Sequence, residues 1–293
     1  MYSDVSVILP AKNESASLRD LLPALSETLP GAEILVVDDG STDDTRSVAH
    51  SASARLVRLV SHQYNMGNGA AVRSGARHAS RDILVFMDAD GQHDPANVSE
   101  LVAKVREGFD MVVGSRQRRA QANVGRGLAN RFYNRLASWM TGHRIEDLTS
   151  GMRAVRAPLF REFLNMLPNG FSYPTTITMC FFRAGYSVAY HGIQVRKRIG
   201  HSHIRPFRDG IRFLLIIFRI GTLYSPLKIF LPVALSVFAM GIAYYAYTFI
   251  MMHRFTNMSA LLFSTSVIIF MMGLISEQIT ALTYQAHTRP ENK

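Results

Sequence analysis

The chain has 293 residues, 48% of them hydrophobic, which is enough for one large domain or a domain with an appendage. Lysine and arginine exceed aspartate and glutamate by 32 to 22, and the resulting net charge of +10 indicates an anionic partner such as nucleic acid, lipid headgroups or phosphorylated substrates. The single cysteine, Cys180, excludes an intramolecular disulfide and a multi-cysteine zinc site.

The first two hundred residues alternate short apolar blocks with helix-like segments. The blocks are rich in β-branched residues and read, in chain order, VSVILPA, EILVVDD, ARLVRLV, DILVFMDAD and DMVVGSR. Segments between them, such as SLRDLLPALSETL and GAAVRSGARHA, have helical spacing of apolar residues. This alternation predicts an α/β fold with a mostly parallel sheet and helices on both faces. The N-terminus lacks a basic region followed by a long apolar run, so we expect no cleaved signal peptide.

Acidic residues follow two of the predicted strands directly. Asp38 and Asp39 end the second strand, and Asp88 and Asp90 end the fourth, with Asp94 close behind. Ligands bind outside the carboxyl ends of such strands, so we expect both groups at one edge of the sheet. Paired carboxylates there suit Mg²⁺ or Mn²⁺ bridging to phosphates, whereas the second-strand acids could instead bind a base or ribose. A polar loop with a helix cap is the simpler alternative.

The segment NMGNGAAVRSG resembles a phosphate-binding loop only loosely. It lacks the Lys-Ser/Thr ending of a P-loop and the spacing of a dinucleotide fingerprint. Close packing of a helix against the sheet explains its glycines equally well.

The C-terminal part contains two long apolar runs. Ile229 to Met252 comprises 24 residues without a charge, long enough to cross a hydrocarbon core of about 30 Å. Ala260 to Ile275 is marginal in length and is followed by Glu277. Together the runs predict a helical hairpin with a short loop, with a buried globular helix as the alternative for the first.

Basic residues flank this predicted hairpin. Arg219 and Lys228 precede it and Arg289 and Lys293 follow it, which predicts that both of its ends face the cytoplasm, although Arg254 in the loop weakens the asymmetry. Just upstream, RPFRDGIRFLLIIFRIGTLYSP spaces its arginines along one side of a helix. That pattern predicts an interfacial helix on a membrane surface, with a solvated face of a globular helix as the alternative.

Five motifs in this order carry a resemblance to a known family. VILPAKNE, VVDDGSTDDT, NMGNGAAVRSG, FMDADGQHDP and DLTSGMRAV, followed by a basic stretch and a hydrophobic hairpin, resemble the polyisoprenyl-phosphate glycosyltransferases of glycosyltransferase family 2, the dolichol-phosphate mannose synthase type. The resemblance implies a GT-A fold, the Rossmann-like fold of nucleotide-diphospho-sugar transferases. It implies a GT-A domain over residues 1–205, an interfacial helix over 206–226, and two transmembrane helices with a short tail over 227–293.

The resemblance also assigns roles to individual positions. The nucleotide pocket would be lined by Pro10, Ala11, Asn13, Glu14, Asp38, Asp39, Asp88 and Ala89. Mg²⁺ or Mn²⁺ would be held by Asp88, Asp90 and Gln92. The catalytic group would comprise Asp147, which would orient the acceptor or act as a base, and the cations Arg116, Arg153 and Arg198. The acceptor phosphate would be bound by Ser150, Arg153, Arg198, Ser202 and His203, where His203 stands at a position at which the family usually has lysine.

The implied activity is inverting transfer of a sugar from a UDP- or GDP-linked donor to a polyprenyl phosphate, undecaprenyl or dolichyl, at the membrane surface. The implied enzyme is an integral membrane protein with a cytoplasmic catalytic domain, no nucleic-acid partner and a homo-oligomeric state left open. The alternatives are a processive polysaccharide synthase, another nucleotide-sugar-binding membrane protein, a nucleotidyltransferase, and a membrane scaffold. The only tryptophan, Trp139, lies outside any QxxRW-type motif, which disfavours the processive synthase.

Overall fold

The computed structural model describes residues 1–52, 57–116, 124–170, 172–195, 211, 214–215, 217–218, 221–222 and 225–288, without the side chains of 124–130, 281 and 283–288. The chain divides into two compact units, Met1–Ile216 and Ile217–Lys293. Most of the predicted interfacial helix over 206–226 lies outside the described residues.

The first unit is built on a seven-stranded sheet. Its strands are β1 (Val5–Ala11), β2 (Glu33–Asp38), β3 (Val57–Ser61), β4 (Ile83–Phe86), β5 (Met111–Arg116), β6 (Arg153–Arg156) and β7 (Val188–Ile193). They lie in the order β3-β2-β1-β4-β6-β5-β7, and only β6 runs antiparallel to its neighbours among these seven. The prediction of a mostly parallel α/β sheet is confirmed, and all five predicted strands are present.

Helices cover this sheet. They are α1 (Ser15–Thr28), α2 (Thr45–Ser51), α3 (Asn68–His78), α4 (Ala96–Arg106), α5 (Val124–Thr141), α6 (Ala157–Glu162) and α7 (Tyr173–Arg183). In α1 the buried residues Leu18, Leu21, Leu22 and Leu25 fall at helical spacing, so they form one stripe that joins the core beside β1 and β2. Burial of such stripes is what fixes each helix against the central strands.

The second unit is a helical hairpin, α8 (Pro226–Met252) and α9 (Asn257–Thr288). Residues Pro226–Met252 and Asn257–Thr280 are each long and apolar enough to cross a membrane. The second helix is longer than its apolar run predicted, because helical structure continues through Glu277. The Glu277 carboxylate accepts a hydrogen bond of 3.3 Å from the backbone N–H of Leu227, so it satisfies an amide at the start of α8 that has no partner within that helix.

Candidate active site

The loops that follow β1 and β2 are joined by hydrogen bonds at the carboxyl edge of the sheet. The backbone N–H of Asn13 donates to the Ser41 hydroxyl at 3.0 Å, and the Asn13 side-chain oxygen accepts from the Thr42 N–H at 2.8 Å. The N–H of Glu14 donates to the Thr45 hydroxyl at 3.0 Å. Asn13 has a φ of 56°, a left-handed conformation that asparagine tolerates better than most residues. Two loops distant in sequence therefore form one wall, and Pro10 and Ala11 lie at its base.

Asp38 and Asp39 are both buried, and both carboxylates accept hydrogen bonds from other parts of the protein. Asp38 pairs with the Nε of Arg46 at 2.5 Å and accepts from the Ser41 N–H at 3.0 Å. Asp39 accepts from the N–H groups of Met66 and Gly67, each at 2.8 Å, and lies 2.8 Å from the Nδ1 of His62. Direct binding of a base or ribose would have to use lone pairs that these contacts leave over.

The acids after β4 are more open. The Asp88 side chain is 40% exposed, Asp90 and Gln92 are half-buried, and Ala89 between the acids is buried. One Asp90 oxygen accepts from the Gln92 N–H at 3.1 Å, which curls the loop back on itself. Met87 bonds through its N–H to Ile8 of β1, so this loop starts beside the loop that follows β1. As predicted, the two groups of acids lie at one edge of the sheet.

The donor set of this loop fits a hard divalent cation. Carboxylate and amide oxygens are the ligands that Mg²⁺ and Mn²⁺ prefer, and Mg²⁺ is usually held by one or two carboxylates together with substrate phosphates. Among the described residues, no group of three or more His, Cys, Asp or Glu side chains is placed to hold a metal ion. Asp88, Asp90 and Gln92 thus resemble the protein half of a site that a substrate completes.

Arg116 and Asp147 form a bidentate ion pair next to this loop. The Nε and Nη2 of Arg116 lie 2.9 and 3.0 Å from the two carboxylate oxygens of Asp147. Asp147 also accepts from the N–H groups of Thr149 and Ser150. Burial alone would raise the pKa of Asp147, but the hydrogen bonds and charge of Arg116 outweigh it and lower that pKa. A carboxylate with a lowered pKa has little affinity for a proton and is a weak general base. The ion pair with Arg116 therefore favours the orienting role of Asp147 over the basic one.

The turn that continues from Asp147 closes on Asp88. A Cβ at Gly151 would lie 2.5 Å from an Asp88 carboxylate oxygen, so only glycine allows this approach. The Ser150 side chain is buried, and its hydroxyl has no hydrogen-bond partner among the described residues. The turn therefore presents a polar, tightly fitted surface beside the loop that contains Asp88, Asp90 and Gln92.

Arg153 differs from the expectation that it contacts a phosphate. Its side chain is 0% exposed, at the position where β6 pairs with Phe86 of β4 and Val113 of β5. The guanidinium donates to the Ser150 carbonyl at 2.5 Å, and to the Pro174 carbonyl and the Thr178 hydroxyl at 3.1 Å each. Because its bonds go to the protein, Arg153 holds the Ser150 turn to α7 rather than facing the open side of the site.

The glycine-rich segment is explained by packing. A Cβ at Gly69 would lie 1.9 Å from the Pro168 carbonyl oxygen, and one at Gly67 would lie 2.5 Å from that of Asn169. The Asn169 carbonyl also accepts the Ala70 N–H at the start of α3, at 2.9 Å. The start of α3 is therefore occupied by the loop at 168–170, and Gly75 packs against Ile8 of the sheet.

Several residues at this edge carry no signal that sequence reasoning could use. His93, which lies within FMDADGQHDP, is buried with its Nε2 3.8 Å from Asp88, and its Nδ1 has no partner among the described atoms. Tyr173 donates its hydroxyl to the Gly151 carbonyl at 2.9 Å, and burial raises its pKa, so the phenol stays a donor. The predicted acceptor residues Arg198, Ser202 and His203 lie outside the described residues.

Comparison with known proteins places this arrangement in a family. Residues 6–164, more than half of the chain, match the family described as Glycosyl transferase family 2. The chain belongs to glycosyl transferase family 2. Residues 225–282 of this family 2 chain match the family described as GtrB C-terminal hairpin, which corresponds to α8 and most of α9.

Two curated relatives are named as sugar transferases. The chain is 36% identical over 168 residues to the undecaprenyl-phosphate 4-deoxy-4-formamido-L-arabinose transferase of Salmonella paratyphi A, covering 55% of this chain and 51% of the relative. The enzyme of that name from Klebsiella pneumoniae is 37% identical over the same length and coverage. The chain thus spans about half the length of these relatives.

Solved structures support the fold. Glucosyl-3-phosphoglycerate synthase from Mycobacterium tuberculosis, crystallised with Mn²⁺, uridine diphosphate and glucosyl-3-phosphoglycerate, is 25% identical with a TM-score of 0.57, covering 74% of this chain and 79% of that one. Its complex with phosphoglyceric acid is 23% identical with a TM-score of 0.59, at the same coverage. The predicted GT-A type of α/β fold is confirmed.

Proposed function

We propose that this family 2 chain transfers a sugar from a nucleotide-diphosphate sugar to a polyprenyl phosphate at the membrane surface, with inversion at the anomeric carbon. The observation that carries the proposal is the joining, in one chain, of a family 2 sugar-transfer unit and a hairpin of two membrane-length helices. Two relatives are named as transferases that act on undecaprenyl phosphate. These two parts match the two substrates, because the donor is soluble in water and the acceptor is anchored in the membrane.

The donor would bind at the carboxyl edge of the sheet. We propose that the wall formed by the loops after β1 and β2 receives the nucleoside, with Pro10, Ala11, Asn13 and Glu14 lining it and Asp38 and Asp39 shaping it. Asp88, Asp90 and Gln92 would hold Mg²⁺ or Mn²⁺ on the diphosphate. A bound divalent ion neutralises charge that builds on a departing diphosphate. The Mycobacterium tuberculosis enzyme was crystallised with Mn²⁺ and uridine diphosphate, which supports a divalent ion and a nucleoside diphosphate as ligands of this fold.

The acceptor chemistry needs little from a base. A lipid monophosphate is already ionised at neutral pH, so one of its oxygens can attack the anomeric carbon while the bond to the nucleoside diphosphate breaks. The lowered pKa of Asp147 makes its carboxylate a weak base. This is compatible with the reaction, because an acceptor that is already ionised does not have to lose a proton. Arg116, fixed by Asp147 and 34% exposed, would stabilise developing phosphate charge. Ser150, whose buried hydroxyl lacks a partner among the described residues, would donate to the acceptor.

We propose further that the enzyme is an integral membrane protein with the first unit in the cytoplasm, as the basic residues around the hairpin indicate. The test is incubation of the purified full chain with a panel of UDP- and GDP-sugars and undecaprenyl phosphate, followed by mass spectrometry of the lipid. A lipid heavier by one sugar, with release of nucleoside diphosphate, is the expected result. A polymer would indicate a processive synthase, and release of pyrophosphate a nucleotidyltransferase.

A further inference from the structure

His62 is a buried histidine whose ring joins Asp39 to helix α3. It directly follows β3, and its side chain is 8% exposed. The Nδ1 of the ring lies 2.8 Å from the Oδ1 of Asp39, and the Nε2 lies 2.8 Å from the hydroxyl oxygen of Ser74. Both ring nitrogens are therefore engaged in hydrogen bonds, one towards the proposed donor site and one towards α3.

The direction of these two hydrogen bonds follows from the chemistry of the three groups. An ionised carboxylate only accepts hydrogen bonds, so the Nδ1 of His62 carries a proton and donates it to Asp39. In the neutral imidazole the other nitrogen is then an acceptor, so the Ser74 hydroxyl donates to Nε2. Ser74 thus selects the tautomer in which His62 presents a donor to Asp39.

The main chain of His62 and the position of Ser74 are both fixed. The His62 N–H donates to the Asp38 carbonyl at 2.9 Å, and the His62 carbonyl accepts from Arg46 at 2.9 Å. A Cβ at Gly75, the neighbour of Ser74, would lie 2.3 Å from a side chain of β1, so this turn of α3 lies directly on the sheet. The imidazole is therefore held at both ends, and its orientation towards Asp39 is well defined.

Asp39 receives three donors in this arrangement. Its Oδ1 accepts from His62 and from the Met66 N–H, and its Oδ2 accepts from the Gly67 N–H, all at 2.8 Å. A carboxylate has about four lone-pair positions, so these three bonds leave one position on Oδ2. Donors on both oxygens also oppose rotation of the carboxylate, so that the remaining lone pair keeps one direction.

We propose that His62 and Ser74 are positioning residues for the nucleoside part of the donor. They would hold the Asp39 carboxylate so that Oδ2 accepts a hydrogen bond from an N–H of the base or from a ribose hydroxyl, without touching the substrate themselves. A group that is already held in its bound orientation loses less conformational freedom when the ligand arrives. This inference rests on the proposed donor site and adds to it two residues that act through Asp39.

The two nitrogens of the ring can be tested separately. His62→Asn places an amide N–H close to the position of Nδ1, so it keeps a donor for Asp39, whereas the longer side chain of His62→Gln reaches towards Ser74 instead. The full chain in detergent would be titrated with UDP and with GDP in the presence of Mg²⁺, by calorimetry. We expect the asparagine variant to bind the nucleotide nearly as the unmodified protein does. The glutamine variant should bind it about tenfold more weakly, the scale of ordering one side chain on binding.

Inorganic pyrophosphate with Mg²⁺ is the probe without a nucleoside. Both variants should bind it as the unmodified protein does, because the effect is confined to the nucleoside part. Ser74→Ala keeps the histidine but removes the donor to Nε2, so it should weaken nucleotide binding without affecting pyrophosphate, and it serves as the test if His62→Gln does not fold. His78→Gln, at an exposed histidine on the same helix, is the matched control and should change neither affinity.

The outcomes separate this inference from the proposed function. Equal nucleotide affinity of the asparagine and glutamine variants, or unchanged affinity of Ser74→Ala, would overturn the inference and leave His62 as a residue that only stabilises the fold. A parallel loss of pyrophosphate binding would also contradict it, because the effect would then not be specific to the nucleoside. If the unmodified protein bound neither nucleotide, the proposed donor site itself would be wrong, and the inference with it.

Discussion

A buried arginine is rarely neutral in its effect, because its guanidinium must find acceptors for its donors. The two Nη groups of Arg153 find them in the Ser150 and Pro174 carbonyls and the Thr178 hydroxyl, whereas its buried Nε has no partner among the described residues. The guanidinium also lies 5.5 Å from the centre of the Tyr173 ring. Burial lowers the pKa of this guanidinium. At the scale of the residue, Arg153 links the turn beside Asp88 to helix α7 by hydrogen bonds.

Lysine cannot make the same hydrogen bonds, since its ammonium lies on a flexible chain and lacks the planar guanidinium that reaches three acceptors at once. Arg153→Lys should therefore lower the free energy of unfolding of the ligand-free protein by about 2 kcal/mol or more, the scale of a lost hydrogen bond from a charged donor. Thermal unfolding followed by circular dichroism measures this. Arg144→Lys, at a side chain that is 85% exposed, is the control and should change little. Normal stability together with weakened binding of the acceptor phosphate would instead support the predicted phosphate contact of Arg153.

The metal assignment makes a prediction about Asp90. Asp90→Asn removes a negative charge from the loop while keeping an oxygen that can accept the Gln92 N–H. Turnover dependent on Mg²⁺ or Mn²⁺ should fall by about 10²-fold or more, since even residues that only support a metal ligand contribute about 10- to 100-fold. The thermal unfolding midpoint should stay near that of the unmodified protein.

Asp94→Asn is the matched control for that experiment. Asp94 lies in the same loop and accepts the Ala96 N–H at 3.0 Å, which is the contact expected of a helix cap at the start of α4. Its substitution should leave metal dependence unchanged. Equal turnover of Asp90→Asn and the unmodified protein, or full activity in excess chelator, would remove the metal from the proposal.

At the scale of elements, the start of α3 shows how a loop fixes a helix. Alanine normally stabilises a helix relative to glycine by about 1 kcal/mol. At Gly69 the added Cβ would lie 1.9 Å from the Pro168 carbonyl, so Gly69→Ala should destabilise the protein instead, by about 1 to 3 kcal/mol. Chemical denaturation gives the sign directly.

Gly170→Ala is the control for this sign, because no atom of the described residues lies within 4 Å of a Cβ built there. We expect its unfolding free energy to be unchanged or slightly higher. If Gly69→Ala were the more stable of the two variants, the contact between α3 and the loop at 168–170 would not exist in solution.

The strands that sequence alone predicts each contain a short run of apolar, mostly β-branched residues. All six residues of β2 are buried, and so are the four of β4, so their β-branched composition suffices. By contrast β6 reads RAVR and contains the buried Arg153, and β7 reads VAYHGI with mostly half-buried positions. Neither has a block of apolar residues, and tertiary pairing with β4 and β5 decides their conformation.

The candidate site likewise has features that the sequence predicts and features that depend on tertiary packing. Strand order places Asp39 and Asp88 at one edge, and that much follows from a parallel sheet. The contacts of His93, Tyr173 and Arg153 depend on how the turn after Asp147 folds against α7, which no local pattern encodes. Composition rules place arginine at the surface, so a buried Arg153 is the kind of exception that only packing reveals.

At the scale of the whole molecule, the two units differ in the surface that they expose. Met1–Ile216 contains the sheet and its polar edge, whereas Ile217–Lys293 contains helices whose apolar side chains are widely exposed. Exposed apolar surface of that extent suits helices that are surrounded by lipid. The proposed reaction needs the first unit on the side of the bilayer that holds the nucleotide sugar, so the orientation of the hairpin is a testable property of the molecule.

Orientation can be read from cysteine labelling, because Cys180 is buried and is the only cysteine in the chain. Asn257 is exposed at the start of α9, next to the loop of the hairpin. If the first unit is cytoplasmic, Asn257→Cys should react with a membrane-impermeant maleimide added outside cells or spheroplasts. Ala103→Cys, on the exposed side of α4, should react only after the membrane is permeabilised.

The unmodified chain gives the background of Cys180 and should label weakly in both conditions. Two flanks of the hairpin carry basic residues and the loop carries Arg254, so the charge difference that sets this topology is modest. Phe255→Arg adds a positive charge to the loop and should therefore increase the fraction of molecules with inverted topology. In intact cells this inversion would be seen as increased labelling of Ala103→Cys. Labelling of Ala103→Cys without that addition, together with protection of Asn257→Cys, would place the catalytic unit outside and exclude a cytoplasmic nucleotide sugar as its donor.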